Sequence, residues 1–239
     1  DMGDRKGWPA TQVFESIMMG TSVQTYEDFI NGRATPDQVQ PVLENFKSLL
    51  TYTAPDHNAR DWYEAAGGMV AGDCAMMMMG TWMQPFLTSQ GWTYGEDYGV
   101  FNVPGTEGYF GMCIDAFVVS NASSDVNAGV RWVYSASSPD VQSAFSRVKE
   151  SVSPYLDTPD ETYNALTLKY KNELAGGTLI SYPSFTHGTA LPWSASTDLH
   201  TRIQDFATQG DSDAARYAKM ITDALKEAGV KGEWKSERK

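Results

Sequence analysis

Tryptophan is the residue type whose placement in this chain most suggests chemistry. Three of the seven stand beside glycine or proline at the ends of expected elements: Trp8 in KGWPA, Trp82 in GTWMQP and Trp193 in LPWSA. With twelve tyrosines as well, the chain carries more aromatic surface than its core demands. A flat apolar ring beside hydrogen-bonding Asp, Lys and His side chains is what a sugar requires, because one pyranose face is rich in C–H while the rim carries hydroxyls. Taken singly, each Trp is also a competent core residue.

Other chemistries leave weaker traces. The sequence has no GxSxG elbow, HExxH or P-loop, GTEGYFG does not make GxGxxG, and His57, His187 and His200 are scattered without ligand spacing. Carboxylates are abundant, yet none is singled out as a glycosidase pair. No catalytic residue, cofactor or metal is therefore assigned. Cys74 and Cys113 are too few for a disulfide scaffold and lack CxxC spacing, so they are expected as one bridge or as two buried thiols. The methionines after Cys74, in AMMMM, are soft ligands suited to Cu(I). Consecutive strand residues point to opposite faces, so at most alternate methionines converge on one ion. The run is expected instead as a strand buried on both faces, with Met as adaptable filler.

The elements that must hold these residues are mostly helices. In ATPDQVQPVLENFKSLLTY, Thr35 is placed as N-cap, Pro36 as N1 and Gln38 as N3, while Val39, Val42, Leu43, Phe46, Leu49 and Leu50 form one stripe despite Pro41. A helix is expected over 59–70, with Trp62, Ala66, Met69 and Val70 on one face and Gly72 ending it. Val126, Val130, Val133 and Tyr134 line another, Ser138 and Pro139 open the next, and Tyr217, Met220, Ile221, Ala224 and Leu225 stripe the last before Gly229. CAMMMM, YGVFNV and AFVVS read as strands, and VPGTEGYFG as a crossing between subregions rather than a regular element.

Composition narrows the partners. The 239 residues are 41% hydrophobic, enough for one sizeable globular unit or two small ones, and the net charge of −12 disfavours nucleic acid and anionic membrane surfaces. Apolar runs are far shorter than the roughly 18 residues that span a bilayer, so no membrane span is expected. The opening DMGDRKGWPA has no apolar leader core, so a secreted form would have lost its leader upstream.

The order of motifs carries a resemblance. Trp62 with EAAGGMVAGDCAMMMMGTW, then YGVFNVPGTEGYFG, IDAFVVS, SSPDVQSAFSRVKESVSP and finally YPSFTHGTA resembles the family 1 extracellular solute-binding proteins of ABC transporters, most of all the glucose and mannose binders. The resemblance implies an α/β, periplasmic-binding-protein-like (type II) fold, mostly the C-terminal lobe with part of the N-terminal lobe. It begins inside the family pattern, so a fragment, a processed piece or an isolated portion is expected. Residues 1–104 would form the first part of the C-terminal lobe, 105–115 a hinge crossing, 116–150 a returning segment of the N-terminal lobe, and 151–239 the hinge and the rest of the C-terminal lobe.

The same resemblance implies a non-enzymatic function: sugar, glucose or a related monosaccharide, held in an interlobe cleft and passed to permease subunits, in the periplasm or outside a bacterial cell. Trp82 would stack on the sugar face, Asp115 and Lys149 would bond its hydroxyls, and His187 would close the site, with Trp62 and Trp8 as further ligand-binding residues. Members commonly carry Lys-Gly-Ser-Ile-Pro where this chain has KESVSP, so Glu150 replaces a glycine. A glycan-active hydrolase, or a binder of oligosaccharides or polyols, is the alternative. Apolar helix faces including Trp132 and Phe145 are expected to lie partly uncovered and to favour self-association.

Overall fold

The computed structural model describes residues 1–209 and 213–234, so residues 210–212 and 235–239, the end of the last expected lobe segment among them, lie outside the described residues. In chain order the elements are α1 (Trp8–Thr21), α2 (Val23–Ile30), α3 (Pro36–Leu50), α4 (Trp62–Ala71), α5 (Met83–Ser89), β1 (Tyr109–Met112), α6 (Val126–Ala136), α7 (Pro139–Lys149), α8 (Ala165–Ala175), β2 (Ile180–Pro183), α9 (Trp193–Thr208) and α10 (Ala214–Glu227). The described chain is thus helix-rich with a small parallel sheet, an α/β arrangement. It divides into two compact units, one of residues 1–79, 100–113 and 180–239 and the other of residues 80–99 and 114–179.

The first unit is built on helix stripes. α3 starts where its sequence directs: Gln38 Oε1 accepts from the Thr35 N–H at 2.8 Å, and Pro36 occupies the first turn, where its missing N–H costs nothing. Val39, Val42, Leu43 and Phe46 are buried, whereas Leu49 at the frayed end is exposed. α10 buries Tyr217, Ile221 and Leu225. Phe14, Phe29, Phe185 and Tyr26 stack into an aromatic centre, with Phe29 and Phe185 4.8 Å apart between ring centroids. The parallel ladder of β1 and β2 pairs Tyr109 with Ile180 and Gly111 with Tyr182, which sets the buried Tyr182 edge-on to Tyr26 at 5.5 Å.

Three strand expectations fail. Residues 74–79 form no strand, and Met76 is 63% exposed although Met78 rests against the core. Residues 98–103 and 116–120 are likewise irregular. β1 forms instead inside the Gly-rich stretch read as a crossing. The reason is physical: a strand buried on both faces needs ladder partners on its edges, and among the described residues the named ladder joins β1 to β2 alone. The buried-thiol expectation fails too, because Cys74 is half-buried and Cys113 exposed.

The second unit has a thin core of Met83, Leu87 and Leu166. α6 buries none of its residues, although Val126, Val130, Val133 and Tyr134 share a stripe as expected. Gly129 lets Val119 approach α6 closely, since a Cβ there would meet Val119 Cγ1 at 2.7 Å. α7 opens as its sequence directs, with Ser138 as N-cap and Pro139 at N1.

Candidate functional site

Of the six residues singled out in the sequence, Trp8, Trp62 and His187 belong to the first unit and Trp82, Asp115 and Lys149 to the second. Within the first unit, Trp8 opens α1 and its ring lies 5.6 Å from that of His187, tilted by 56°. His187 Nε2 is 3.2 Å from Gln12 Oε1, one turn further along α1, and Gln12 accepts when Nε2 carries the proton. Trp62 opens α4 and packs edge-on to Tyr63 at 6.1 Å, beside the pairs that Arg5 makes with Asp61 at 3.1 Å and Glu64 at 2.8 Å.

Within the second unit, Asp115 and Lys149 form an ion pair, with Asp115 73% exposed. Lys149 Nζ also lies 5.5 Å from the centroid of the Phe145 ring, which meets Phe117 at 6.3 Å; Phe117 in turn meets Trp132 edge-on at 5.1 Å. A solvated ion pair contributes little to stability. It presents an acceptor and a donor side by side against aromatic surface, groups able to form charge-assisted hydrogen bonds. Lys149 ends α7, and the next residue, Glu150, has φ +53°, the left-handed conformation that glycine adopts at no cost. Asn164 Nδ2 donates to its carboxylate at 2.9 Å and Thr167 Oγ1 donates to its carbonyl at 3.1 Å, so the strained turn is held from α8.

Trp82 caps α5, and its ring folds back over Gly80, where an added Cβ would sit 2.3 Å from the indole. Any side chain at 80 would displace this ring.

One residue that the sequence reading passed over organises the first unit. Glu15, fully buried on α1, accepts from Tyr26 Oη at 2.6 Å, Ser184 Oγ at 2.8 Å and the backbone N–H groups of Phe185 at 2.8 Å and Thr186 at 3.3 Å. Burial pushes its carboxyl up, while the Tyr26 and Ser184 hydroxyls and the Phe185 N–H pull it down. A lone acid among Val13, Phe14, Ile17 and Met18 was the available signal. His200 Nε2 approaches the Thr186 carbonyl at 2.9 Å, and burial holds its ring below the usual histidine range.

Among the described residues, no three His, Cys, Asp or Glu side chains are grouped to hold a metal, and no helix is long and apolar enough to cross a membrane. A concavity of about 250 Å³ lies between α9 and α10, lined by Leu199, Arg202, Ile221 and Leu225, and none of the six residues borders it.

Similarity to known proteins agrees in class. The chain is 34% identical over 228 residues to an uncharacterized ABC transporter extracellular-binding protein of Pyrococcus horikoshii, covering 94% of this chain and 51% of that protein. It is similar to solute-binding proteins. Probable sugar-binding periplasmic proteins of Mesorhizobium japonicum and Brucella suis are each 27% identical, over 235 and 202 residues, covering 92% and 81% of this chain and 55% and 48% of theirs. The chain spans about half the length of the curated relatives it matches, and these relatives are named as binding proteins, none as an enzyme. No family model matches the chain.

Proposed function

We propose that this chain is part of the sugar-binding component of an ABC-type uptake system, binding glucose or a related monosaccharide outside the cytoplasmic membrane of a bacterium and delivering it to permease subunits. It is a binder and not an enzyme. The observation that carries this reading is the Asp115–Lys149 pair, solvated and seated against Phe145, on a chain whose relatives are named for sugar binding. Asp115 accepts from sugar hydroxyls, Lys149 donates to them, Trp82 stacks on the C–H face, and His187 with Trp8 supplies a further donor and ring. Trp62 has the weaker claim, since it stands with Tyr63 and the Arg5 ion pairs.

The fold we propose is the type II periplasmic-binding-protein fold. Residues 1–104 and 151–239 belong to one lobe, joined through a crossing at 105–115, and residues 116–150 belong to the other. This assignment accounts for α6, an amphipathic helix that buries none of its residues, because the relatives possess roughly twice this length with which to cover it.

Trp82→Ala tests the stacking role. Glucose titration followed by tryptophan fluorescence and by ligand-observed NMR should show affinity reduced about tenfold, or about 1.4 kcal/mol, with a smaller loss of stability. Unchanged affinity together with a large fall in melting temperature would make Trp82 a packing residue and remove it from the site.

A further inference from the structure

We infer that Glu15 is a positioning residue that fixes the His187 ring against Trp8 through a buried relay along one stripe of α1. The inference rests on the sugar-binding reading for its consequence, though not for its test.

The stripe is set by helix geometry. Trp8, Gln12 and Glu15 are spaced four and three apart, which puts them on one face of α1. All three contact the same short segment after β2. Glu15, the deepest, takes hydrogen bonds from the three consecutive residues Ser184, Phe185 and Thr186. Gln12 meets His187 Nε2, and Trp8 meets the His187 ring. The relay reaches the backbone of His187 itself, because its N–H donates to Ser184 Oγ at 3.3 Å while that hydroxyl donates to Glu15 Oε2 at 2.8 Å.

The segment is also held from its other side. Ser196 Oγ donates to the Phe185 carbonyl at 2.9 Å, His200 Nε2 meets the Thr186 carbonyl, and the N–H groups of Thr189 and Ala190 both bond the Ser184 carbonyl at 3.0 Å. Gly188, at φ +71°, turns the chain immediately after His187. The backbone on both sides of His187 is therefore fixed, and its ring is directed to Gln12 and Trp8.

An ionisable anchor is needed here because two adjacent backbone N–H groups and the Ser184 and Tyr26 hydroxyls converge in a buried space. A carboxylate oxygen pair accepts them all, whereas an amide would present two donors to donors. Leaving such donors unpaired in a buried space costs their full desolvation.

The test uses the full chain labelled with ¹⁵N-tryptophan. The Trp8 indole resonance, assigned with Trp8→Phe, is followed across the histidine titration, and His187→Asn identifies the inflection that His187 contributes. Glu15→Gln and Ser184→Ala are then compared with Thr222→Ala, which removes a buried hydroxyl bonded to Ala218 in α10, away from the relay. The expected result is that both relay variants displace the Trp8 resonance and shift or abolish the His187 inflection, while Thr222→Ala lowers stability and leaves both unchanged. Should Glu15→Gln fail to fold, Ser184→Ala decides alone.

A relay variant that folds and leaves the Trp8 signal and the inflection at their wild-type positions overturns the inference; so does an equal disturbance from Thr222→Ala. Glucose is added in a second arm. A wild-type Trp8 signal that glucose leaves unmoved counts against placing His187 and Trp8 in the sugar site, while the positioning inference stands or falls on the titration.

Discussion

The two units of this chain treat apolar residues in opposite ways. In the first, Phe14, Phe29, Phe46, Phe185 and Phe206 are fully buried, and even acids, Asp4 and Glu15, are drawn into the interior. In the second, Phe117 is 50% exposed, Trp132 58%, Val148 79% and Val118 86%. Local sequence quality does not explain the contrast. α6 has its own cap and stripe, as α3 does, with Asp125 accepting from Ala128 N–H at 2.8 Å at the head of α6. What differs is whether a second apolar surface lies opposite the stripe. An amphipathic helix is specified by its own sequence, while its burial is specified by its partners.

The sharpest break in this comparison is a pair of truncations. Phe185→Ala, in the aromatic centre of the first unit, should cost about 3 to 5 kcal/mol. Trp132→Ala in the second should cost about 1 kcal/mol or less. Urea unfolding of both variants measures the difference, and comparable losses would mean that the second unit packs as tightly as the first.

The buried acids of the first unit give it a pH signature. Burial raises the Asp4 carboxyl to about 7, against a hydrogen bond from the Ala10 N–H that lowers it. Because the folded value lies above the ordinary 3.8, the folded state holds the proton more tightly than the unfolded chain. That contribution to stability is complete below about pH 4 and is lost as pH rises through 7, at most about 4 kcal/mol for a shift of this size. Glu15 acts in the same direction, while His57 and His200, lowered by burial, oppose both at acid pH. Asp4→Asn keeps an acceptor for Ala10 and should flatten the fall between pH 5 and 8 in thermal unfolding, whereas an unchanged slope would show that Asp4 is ionised in the folded chain.

The exposed stripe of the second unit should make the chain self-associate. Light scattering should show mass rising with concentration, and the double variant Val130→Lys with Tyr134→Lys, two exposed residues of that stripe, should restore a monomer. Association that persists in the double variant would place the contact elsewhere.

The smallest effect falls on the strained turn after α7. Glu150→Ala keeps the left-handed backbone and loses the Asn164 hydrogen bond, costing about 1 kcal/mol. Glu150→Gly should cost less, since relief of the backbone offsets that loss.

Much of this was legible in the sequence, and the omissions share a cause. α3, α7 and α10 follow from caps and stripes that lie within a dozen residues. β1 and β2 do not, because Tyr109 and Ile180 become strand residues only by pairing across the intervening chain. CAMMMM and AFVVS have strand composition without a ladder partner among the described residues, so their composition settles nothing. The contact of Trp8 with His187 is of the same kind, made by packing α1 against a segment some 180 residues later. Glu15 was visible as an acid among apolar neighbours, but its partners were not.

The most direct test of the proposed sugar site compares Asp115→Ala with Glu150→Ala by calorimetric titration of glucose into this 239-residue chain. The expected result is weak binding, about millimolar, or about 4 kcal/mol, in the starting protein. Asp115→Ala should abolish that binding and Glu150→Ala should leave it unchanged. Equal affinity in all three, or no saturable binding of glucose or related monosaccharides to the starting protein, would contradict the assignment of Asp115 and Lys149 to sugar hydroxyls.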